Sequence, residues 1–292
     1  MIAVNPSASL RAGLRVRPAV LADQQQIADL TFFESHVHRH LDWRAPIEWL
    51  GHPPYWILEE RGRITAALAC PPDPDSIAWI RLFAFASHLS GPEAWLPLWT
   101  AARHELAERG NAIVAAISVQ RWFDPILTES GFKLSQHIVL LEWIDHPAKQ
   151  VATSQSITIR AMKPEDLPRV VNTDAAAFAP LWRNSLSALS KAYSQAVYAS
   201  VAENASGVIG YQISTGNSIG AHLARLAVRP EAQGQNVGAA LVGDLICQMQ
   251  ARGIVRISVN TQADNAASLA LYHKLGFHRT GEQYPVYTYR VE

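Results

Sequence analysis

The feature that most constrains the fold of this 292-residue chain is an internal repeat. Three short segments recur at offsets of 143, 143 and 145 residues. Leu14–Arg17 followed by Asp23 corresponds to Ile157–Arg160 followed by Asp166. Arg109-Gly110 corresponds to Arg252-Gly253, and Gly131-Phe132 corresponds to Gly276-Phe277. A nearly constant offset at three points indicates that one fold is present twice in tandem.

The segment between the two copies has the composition of a linker. Asp145–Ser156 is polar, contains Pro147 and several small residues, and follows an apolar strand pattern at Ile138–Ile144. We therefore predict two domains, at residues 1–144 and 157–292, joined by a linker at 145–156.

A strand–loop–helix in the second copy has the composition of an anion site. Gly234 and Gly238 allow close approach of the backbone, and Asn236 tolerates the left-handed region. The helix that starts near Gly238 adds unpaired N–H groups and a positive dipole end, which favour a diphosphate. The spacing matches neither the P-loop nor the G-x-G-x-x-G fingerprint, and a plain turn between strand and helix is the alternative.

A second motif follows downstream. A strand at Arg256–Asn260 leads into an Asp/Asn-rich turn, and Asn265 is a good N-cap residue for the next helix. Gly276 ends that helix, and Tyr272 lies about two turns into it.

The first motif resembles the diphosphate loop of the GNAT superfamily of acetyl-CoA-dependent N-acetyltransferases. That loop reads Q/R-x-x-G-x-G/A after a Leu-x-Val strand, and here it is Gln233-x-x-Asn236-x-Gly238. Asn236 stands where the family usually has Gly, a mild departure because Asn tolerates the left-handed backbone.

The second motif resembles the family pattern Asn-x-x-Ala-x-x-Leu-Tyr-x-x-x-Gly-Phe. It is present as Asn265, Ser268–Tyr272 and Gly276-Phe277, with the Ala position taken by Ser268 or shifted to Ala267. The resemblance covers about residues 157–290. It implies an α/β fold of two tandem GNAT-like domains, each a mixed, mainly antiparallel sheet flanked by helices.

The resemblance also implies a reaction and roles for individual residues. Acetyl-CoA is the co-substrate, and a primary amine of a small molecule or peptide attacks it directly. Leu226 and Val228 would hold the pantetheine arm by sheet-like hydrogen bonds, and the Val228 N–H would polarise the thioester carbonyl. Backbone N–H groups would bind the diphosphate, from Gln233, Gly234, Gln235, Asn236, Val237, Gly238 and Ala239.

Proton transfers complete the implied chemistry. Tyr272 matches the family's acid, which protonates the leaving thiolate, although a packing role is the alternative. Asn265 hydrogen-bonds CoA, caps its helix, or does both. His222, on the strand that leads to the loop, has a suitable pKa for the base. A packing histidine, Glu203 as base, and a water-mediated base are the alternatives.

The first copy lacks the corresponding residues. At the offset of 143, Gln233–Gly238 falls on Ser90–Trp95, where Pro92 has no N–H and Trp95 is bulky. At the offset of 145, Leu127 replaces Tyr272 and Gln120 replaces Asn265. We therefore predict a degenerate domain that binds no acetyl-CoA.

Charge and cysteine content exclude other classes. Lys and Arg together number 25, as do Asp and Glu, which argues against nucleic acid or an anionic membrane as main partner. The distant cysteines Cys70 and Cys247 form no disulfide framework, and Met1–Leu10 lacks a signal-peptide pattern, so a cytoplasmic location is predicted. A homodimer is possible, and a non-catalytic acyl-CoA-binding sensor or interaction module is the alternative function.

Three further features have structural and functional interpretations. His36 and His40 are four residues apart on a possible helix, a spacing that can bind metal, but without a further ligand motif we predict none. The tryptophans of the first copy are expected to pack in the core more than to line an acceptor pocket. Phe178–Arg183 is a candidate acceptor contact.

Overall fold

The computed structural model describes residues 13–74, 76–110, 113–145 and 154–291. The Met1–Leu10 segment and linker residues 146–153 lie outside this part. The chain divides into two compact units. Unit 1 comprises Met1–Ser135 with Pro285–Glu292, and unit 2 comprises Gln136–Tyr284.

The helices and strands of the two copies follow one another along the chain in a similar order. The first copy contains β1 (Leu14–Pro18), α1 (Gln24–Phe33), β2 (His36–Arg39), β3 (Tyr55–Glu60), β4 (Arg63–Ala69), β5 (Ile77–Trp79), β6 (Leu82–Phe85), α2 (Gly91–Glu108), β7 (Ile113–Ile117), α3 (Phe123–Glu129) and β8 (Lys133–Ile144). The second copy contains β9 (Thr158–Ala161), α4 (Leu167–Ala177), α5 (Leu186–Ser194), β10 (Tyr198–Asn204), β11 (Gly207–Gly216), β12 (Ala221–Val228), α6 (Val237–Gln250), β13 (Arg256–Gln262), α7 (Ala266–Lys274) and β14 (His278–Arg290).

Both units contain mainly antiparallel sheets with helices packed on them. In unit 1 the strand order β1-β3-β4-β6-β2 is antiparallel throughout, and β5 pairs in parallel with β7. In unit 2 the strands β9 to β12 are antiparallel neighbours, β12 and β13 are parallel, and β13 and β8 are antiparallel. The predicted α/β class with a mixed, mainly antiparallel sheet is confirmed.

The limits of the compact units differ from the predicted domains 1–144 and 157–292. β8 pairs with β13 from Ile138 to Ile144 and buries Trp143 completely in the core of unit 2. The end of β14, from Val286 to Arg290, pairs with β7 and belongs to unit 1. The last strand of each copy therefore completes the unit formed by the other copy. The sequence did not predict this, because an apolar pattern identifies a strand but not the strand with which it pairs.

The repeat is visible in one matched set of ion pairs. In unit 1, Arg17 donates to both carboxylate oxygens of Asp23 at 2.7 and 2.8 Å and to Glu59 at 2.9 Å. Asp23 also accepts from the Val20 N–H at 2.8 Å, and these bonds lower the pKa of its carboxyl group.

Unit 2 contains the same arrangement. Arg160 donates to Asp166 at 2.7 and 2.9 Å and to Glu203 at 2.7 Å, and Asp166 accepts from the Lys163 N–H at 2.8 Å. The two sets join corresponding strands and turns, so the sequence repeat is also a structural repeat. Glu203, an alternative for the base, is engaged in this ion pair.

Candidate functional site

The site in unit 2 begins where two strands separate. β12 and β13 pair in parallel only from Ala221 to Leu223. A bulge follows, because Ile213 and Ser214 of β11 face Arg225 and Leu223 and leave Ala224 as an extra residue. Beyond the bulge, Leu226 and Val228 still pair with β11 on one side of β12. On the other side, where β13 paired earlier, they pair with no described strand. Such an edge can bind an extended ligand through backbone hydrogen bonds.

The loop after β12 leads into a helix that lacks a side-chain cap. Gly234 has φ 78° and Asn236 has φ 63° and ψ 10°, so Asn236 adopts the left-handed backbone that its residue type predicts. Asn236 is the N-cap of α6 but its side chain makes no capping bond. The Gln233 side chain instead donates to the Val228 carbonyl at 3.1 Å and braces the loop. The start of α6 is therefore available to an anion.

A groove of about 490 Å³ joins these two features. Its walls are the end of β12, the loop, the start of α6 and one face of α7. Nine of the predicted cofactor residues line it: Leu226, Val228, Gln233, Gly234, Asn236, Val237, Gly238, Ala239 and Asn265. The side chain of Asn265 also caps α7, since it accepts from the Ser268 N–H at 3.1 Å.

Gly238 lies in the groove lining where α6, β12 and α7 come close together. A Cβ atom at this position would lie 3.3 Å from Leu271 Cδ2 and 3.6 Å from Val228 Cγ2. The start of α6 thus approaches both β12 and α7 closely. Gly238 therefore leaves the backbone at the start of α6 without a side chain at this point of the groove lining.

The structure does not bring the three remaining predicted residues into the groove lining. Gln235 turns its side chain back to the Glu231 carbonyl at 3.1 Å. Tyr272 is 4 % exposed and lies in the apolar core, with its ring centroid 5.5 Å from that of Phe277. Burial raises the pKa of Tyr272, so its phenol stays protonated near neutral pH.

His222 lies away from the groove. Its Nδ1 is 2.9 Å from Ser258 Oγ, on the part of β12 that still pairs with β13. Six strand residues separate His222 from Val228, roughly 20 Å at the usual rise. Direct proton transfer to a group held at Val228 is therefore beyond hydrogen-bond reach. Burial lowers the pKa of His222, which keeps the ring neutral.

A buried network beside the groove was not expected from the sequence. Asp174 of α4 is fully buried and accepts from Tyr211 Oη at 2.5 Å and Arg225 Nε at 2.8 Å. It also accepts from the Asn184 N–H at 2.9 Å. The signal that could have revealed it is a carboxylate on the apolar face of a predicted helix.

The same network orders the segment that was predicted to contact an acceptor. The Arg225 guanidinium lies 3.5 Å above the centroid of the Phe178 ring and donates to the Trp182 carbonyl at 2.5 Å. Phe178 lines the groove. Arg225 therefore connects the bulged part of β12 to one wall of the site.

The corresponding helix start in unit 1 is closed by its own residues. Ser90 caps α2 by accepting from the Glu93 N–H at 3.4 Å, and the Glu93 carboxylate accepts from the Ser90 N–H at 2.9 Å. These two reciprocal hydrogen bonds satisfy backbone N–H groups at the start of α2. At the start of α6 the corresponding N–H groups have no side-chain cap.

The corresponding strand edge in unit 1 is also covered. β5 pairs with β7 from Ile77 to Trp79, as β12 does with β13. β6 follows β5 in the chain, beyond the part that pairs with β7. β2 lies antiparallel along β6, with His36 opposite Phe85 and Arg39 opposite Leu82. A strand of the chain itself thus takes the position that unit 2 leaves unpaired.

The possible helix at His36–His40 is wrong, because these residues form β2 and its end. His36 stacks on Phe85, His40 stacks on Trp79, and burial lowers the pKa of His38 to about 4. Within the ranges the structure describes, no group of three or more His, Cys, Asp or Glu side chains could hold a metal ion. In the same part of the chain, no helix is long and apolar enough to cross a membrane.

Known proteins resemble this chain in sequence and in fold. Residues 164–277 match the model of the acetyltransferase (GNAT) family. A stretch of 57 residues is 42% identical to the [Ribosomal protein bS18]-alanine N-acetyltransferase of Escherichia coli (strain K12). It covers 20% of this chain and 38% of that relative, well under two thirds of the relative's length.

Solved structures extend the likeness over nearly the whole chain. A tandem GNAT protein from the clavulanic acid biosynthesis pathway superposes with a TM-score of 0.65 at 16% identity, covering 96% of this chain and 99% of that one. A GCN5-related N-acetyltransferase from Sphaerobacter thermophilus gives 0.63 at 14% identity, covering 97% and 98%. The chain therefore has the tandem GNAT fold, and its residues 164–277 match the acetyltransferase (GNAT) family.

Proposed function

We propose that unit 2 transfers an acetyl group from acetyl-CoA to a primary amine by direct attack. The observation that carries this proposal is the uncapped start of α6 beside the unpaired edge of β12, in one groove. An extended arm ending in a diphosphate suits both features together. The matched relative is named as an alanine N-acetyltransferase, which supports an amine as the acceptor class.

Each part of the groove has a role in this proposal. The backbone N–H groups from Gln233 to Ala239 bind the diphosphate, and Leu226 and Val228 hold the pantetheine arm. When bound, acetyl-CoA supplies an activated acyl thioester. The Val228 N–H stabilises the charge that develops on its carbonyl oxygen as the new C–N bond forms and the C–S bond breaks.

Two residues outside the groove lining move protons in this proposal. Tyr272, whose raised pKa keeps it protonated, donates its proton to the departing thiolate through its hydroxyl group. The amine proton reaches the neutral His222 through a chain of several water molecules, because roughly 20 Å of strand separates His222 from Val228. The fully buried Asp174 holds the partly buried Arg225, and Arg225 positions Phe178 at the acceptor side of the groove.

Titration calorimetry of the full chain with acetyl-CoA tests the site. We expect one binding site per chain, because β2 and the Ser90–Glu93 box close the equivalent position in unit 1. Two sites per chain would show that unit 1 also binds, and no binding would reject the proposed function. Transfer assays with a panel of primary amines then separate an enzyme from an acyl-CoA-binding sensor, which would bind without turnover.

Tyr272→Phe tests the proposed acid. Removing the hydroxyl leaves the ring packed on Phe277, so acetyl-CoA affinity should stay nearly unchanged. Turnover should fall by about 100-fold, the lower end of the usual contribution of a general acid. Tyr284→Phe, which removes a hydroxyl bonded to Glu282, is the matched control and should leave turnover unchanged. Equal rates for the Tyr272 variant and the wild type would reject its role as acid.

A further inference from the structure

Unit 1 contains a cavity of about 1070 Å³ between its sheet and α2. It lies at the β1 end of the strand order β1-β3-β4-β6-β2, so it is separate from the edge of β6 that β2 covers. Its walls are the face of β1 that carries Leu14 and Val16, one face of α2 from Pro97 to Glu108, and Trp56 of β3. A space of this volume suits a small organic molecule.

The equivalent space in unit 2 is crossed by a hydrogen bond between the sheet and α6. The strand pairings align Pro54 with Tyr198, and the offset of 143 aligns Ala101 with Asp244. Tyr198 donates to Asp244 at 2.7 Å. Neither Pro54 nor Ala101 has a side chain that could make such a bond. The cavity is therefore a property of the first copy and not a requirement of the fold.

The cavity is negatively charged towards the end of α2. Glu105 and Glu108 line it there and are three residues apart, on one face of the helix. The last turn of α2 contains no basic residue, so the negative end of its dipole adds to the two carboxylates. Glu105 is held in place, since it accepts from Trp56 Nε1 at 2.9 Å and from Arg109 at 2.8 Å. This end of the cavity favours a cation.

The basic residues of the lining do not reverse this charge. Arg15 lies between two cavity-facing residues of β1, so its side chain is on the opposite face of the sheet. His52 packs edge-on against Trp49, with ring centroids 5.8 Å apart. His104 shares the α2 face with the carboxylates, and its Nδ1 is 3.6 Å from Glu108 Oε1. One histidine against two carboxylates leaves that face negative.

We propose that this cavity binds an organic cation with an apolar body, of the arylalkylamine class. The ammonium group lies beside Glu105 and Glu108, and the apolar body lies between Trp56 and Ala101. The indole ring adds a cation–π attraction to the attraction of the carboxylates. The lining shares no residue with the groove of unit 2, so this site is additional to the proposed function.

Calorimetry of the full chain with 2-phenylethylamine, in the absence of acetyl-CoA, tests the site. Neutral 2-phenylethanol and anionic 3-phenylpropanoate have similar size and measure the preference for charge. The wild type should bind the amine about ten-fold more tightly than the alcohol, from a cation–π contact and exposed charge pairs together. The acid should bind most weakly. Failure of the amine to bind, or binding of the acid as tightly as the amine, would overturn the proposal.

Two variants test the roles of the charge and of the cavity. Glu108→Gln should reduce the preference for the amine over the alcohol about three-fold, whereas Glu129→Gln removes the same charge at an exposed position outside the lining and should keep it. Ala101→Leu fills the cavity without changing its charge. It should weaken the amine and the alcohol alike by about ten-fold and leave the melting temperature unchanged or raised.

A variant of the groove in unit 2 locates the bound amine. Phe178→Leu changes that groove and should leave the affinity for 2-phenylethylamine unchanged. Loss of binding in Phe178→Leu, with wild-type affinity in Ala101→Leu, would place the amine in unit 2 and overturn the proposal. Because acetyl-CoA is absent from these measurements, their outcome does not depend on whether unit 2 transfers acetyl groups.

Discussion

Gly238→Val is expected to abolish tight acetyl-CoA binding while the chain remains folded. A Cβ at this position fits against Leu271 and Val228 at 3.3 and 3.6 Å, so the protein itself accommodates the first added carbon with a small shift. The additional methyl groups then occupy the space that the proposed function assigns to the diphosphate at the start of α6. Overpacking of this kind costs about 1–3 kcal/mol, which corresponds to a loss of affinity of up to about 100-fold.

A graded pair of variants controls this experiment. Gly238→Ala should have a smaller effect, and Gly220→Ala should have none on affinity. Gly220 precedes β12, and a Cβ there would lie 3.4 Å from the Arg256 carbonyl oxygen, outside the groove. Calorimetry and circular dichroism on all three variants separate loss of binding from loss of folding. Wild-type affinity in Gly238→Val would reject the diphosphate position.

Asp174→Ala should give the largest loss of stability among substitutions near the site. The Asp174 carboxylate is fully buried and accepts from Tyr211, Arg225 and the Asn184 N–H. Its removal leaves the Arg225 charge and the Tyr211 hydroxyl without their acceptor in a low-dielectric interior. Breaking such a pair from one side costs about 3–5 kcal/mol in the free energy of unfolding.

Urea denaturation measures this change, and a double-mutant cycle with Arg225→Met isolates the pair. The double variant should recover part of the loss, because both charges are then absent. Glu231→Ala breaks the exposed pair with Arg229 and serves as a control with little expected change. A loss as small for Asp174→Ala as for this control would contradict the structural role of the network.

The local features of the loop were predictable from residue type. Asn236 and Gly234 adopt positive φ because few other residues tolerate it, and Asn265 caps α7 because its side chain is short and polar. The matched offsets also anticipated the equivalent ion pairs of Arg17 and Arg160. These are short-range properties, determined within a few residues of chain.

Side-chain direction and strand partners were not predictable in the same way. Leu271 and Tyr272 are adjacent in the chain, yet Leu271 lines the groove and Tyr272 packs in the core. The reason is that a helix turns about 100° per residue. His36 and His40 have a spacing compatible with a helix, but the pairing of His36–Arg39 with β6 makes this segment a strand.

The sequence by itself therefore determined the tandem repeat, the family motifs and the absence of those motifs from the first copy. Only the tertiary structure decided that the last strand of each copy completes the other unit, that β2 covers the edge of β6, and that Asp174 and Arg225 meet beside the groove. The physical reason is that backbone conformation follows from local preferences. Partners distant in the chain are selected by the burial and hydrogen bonding of the whole fold.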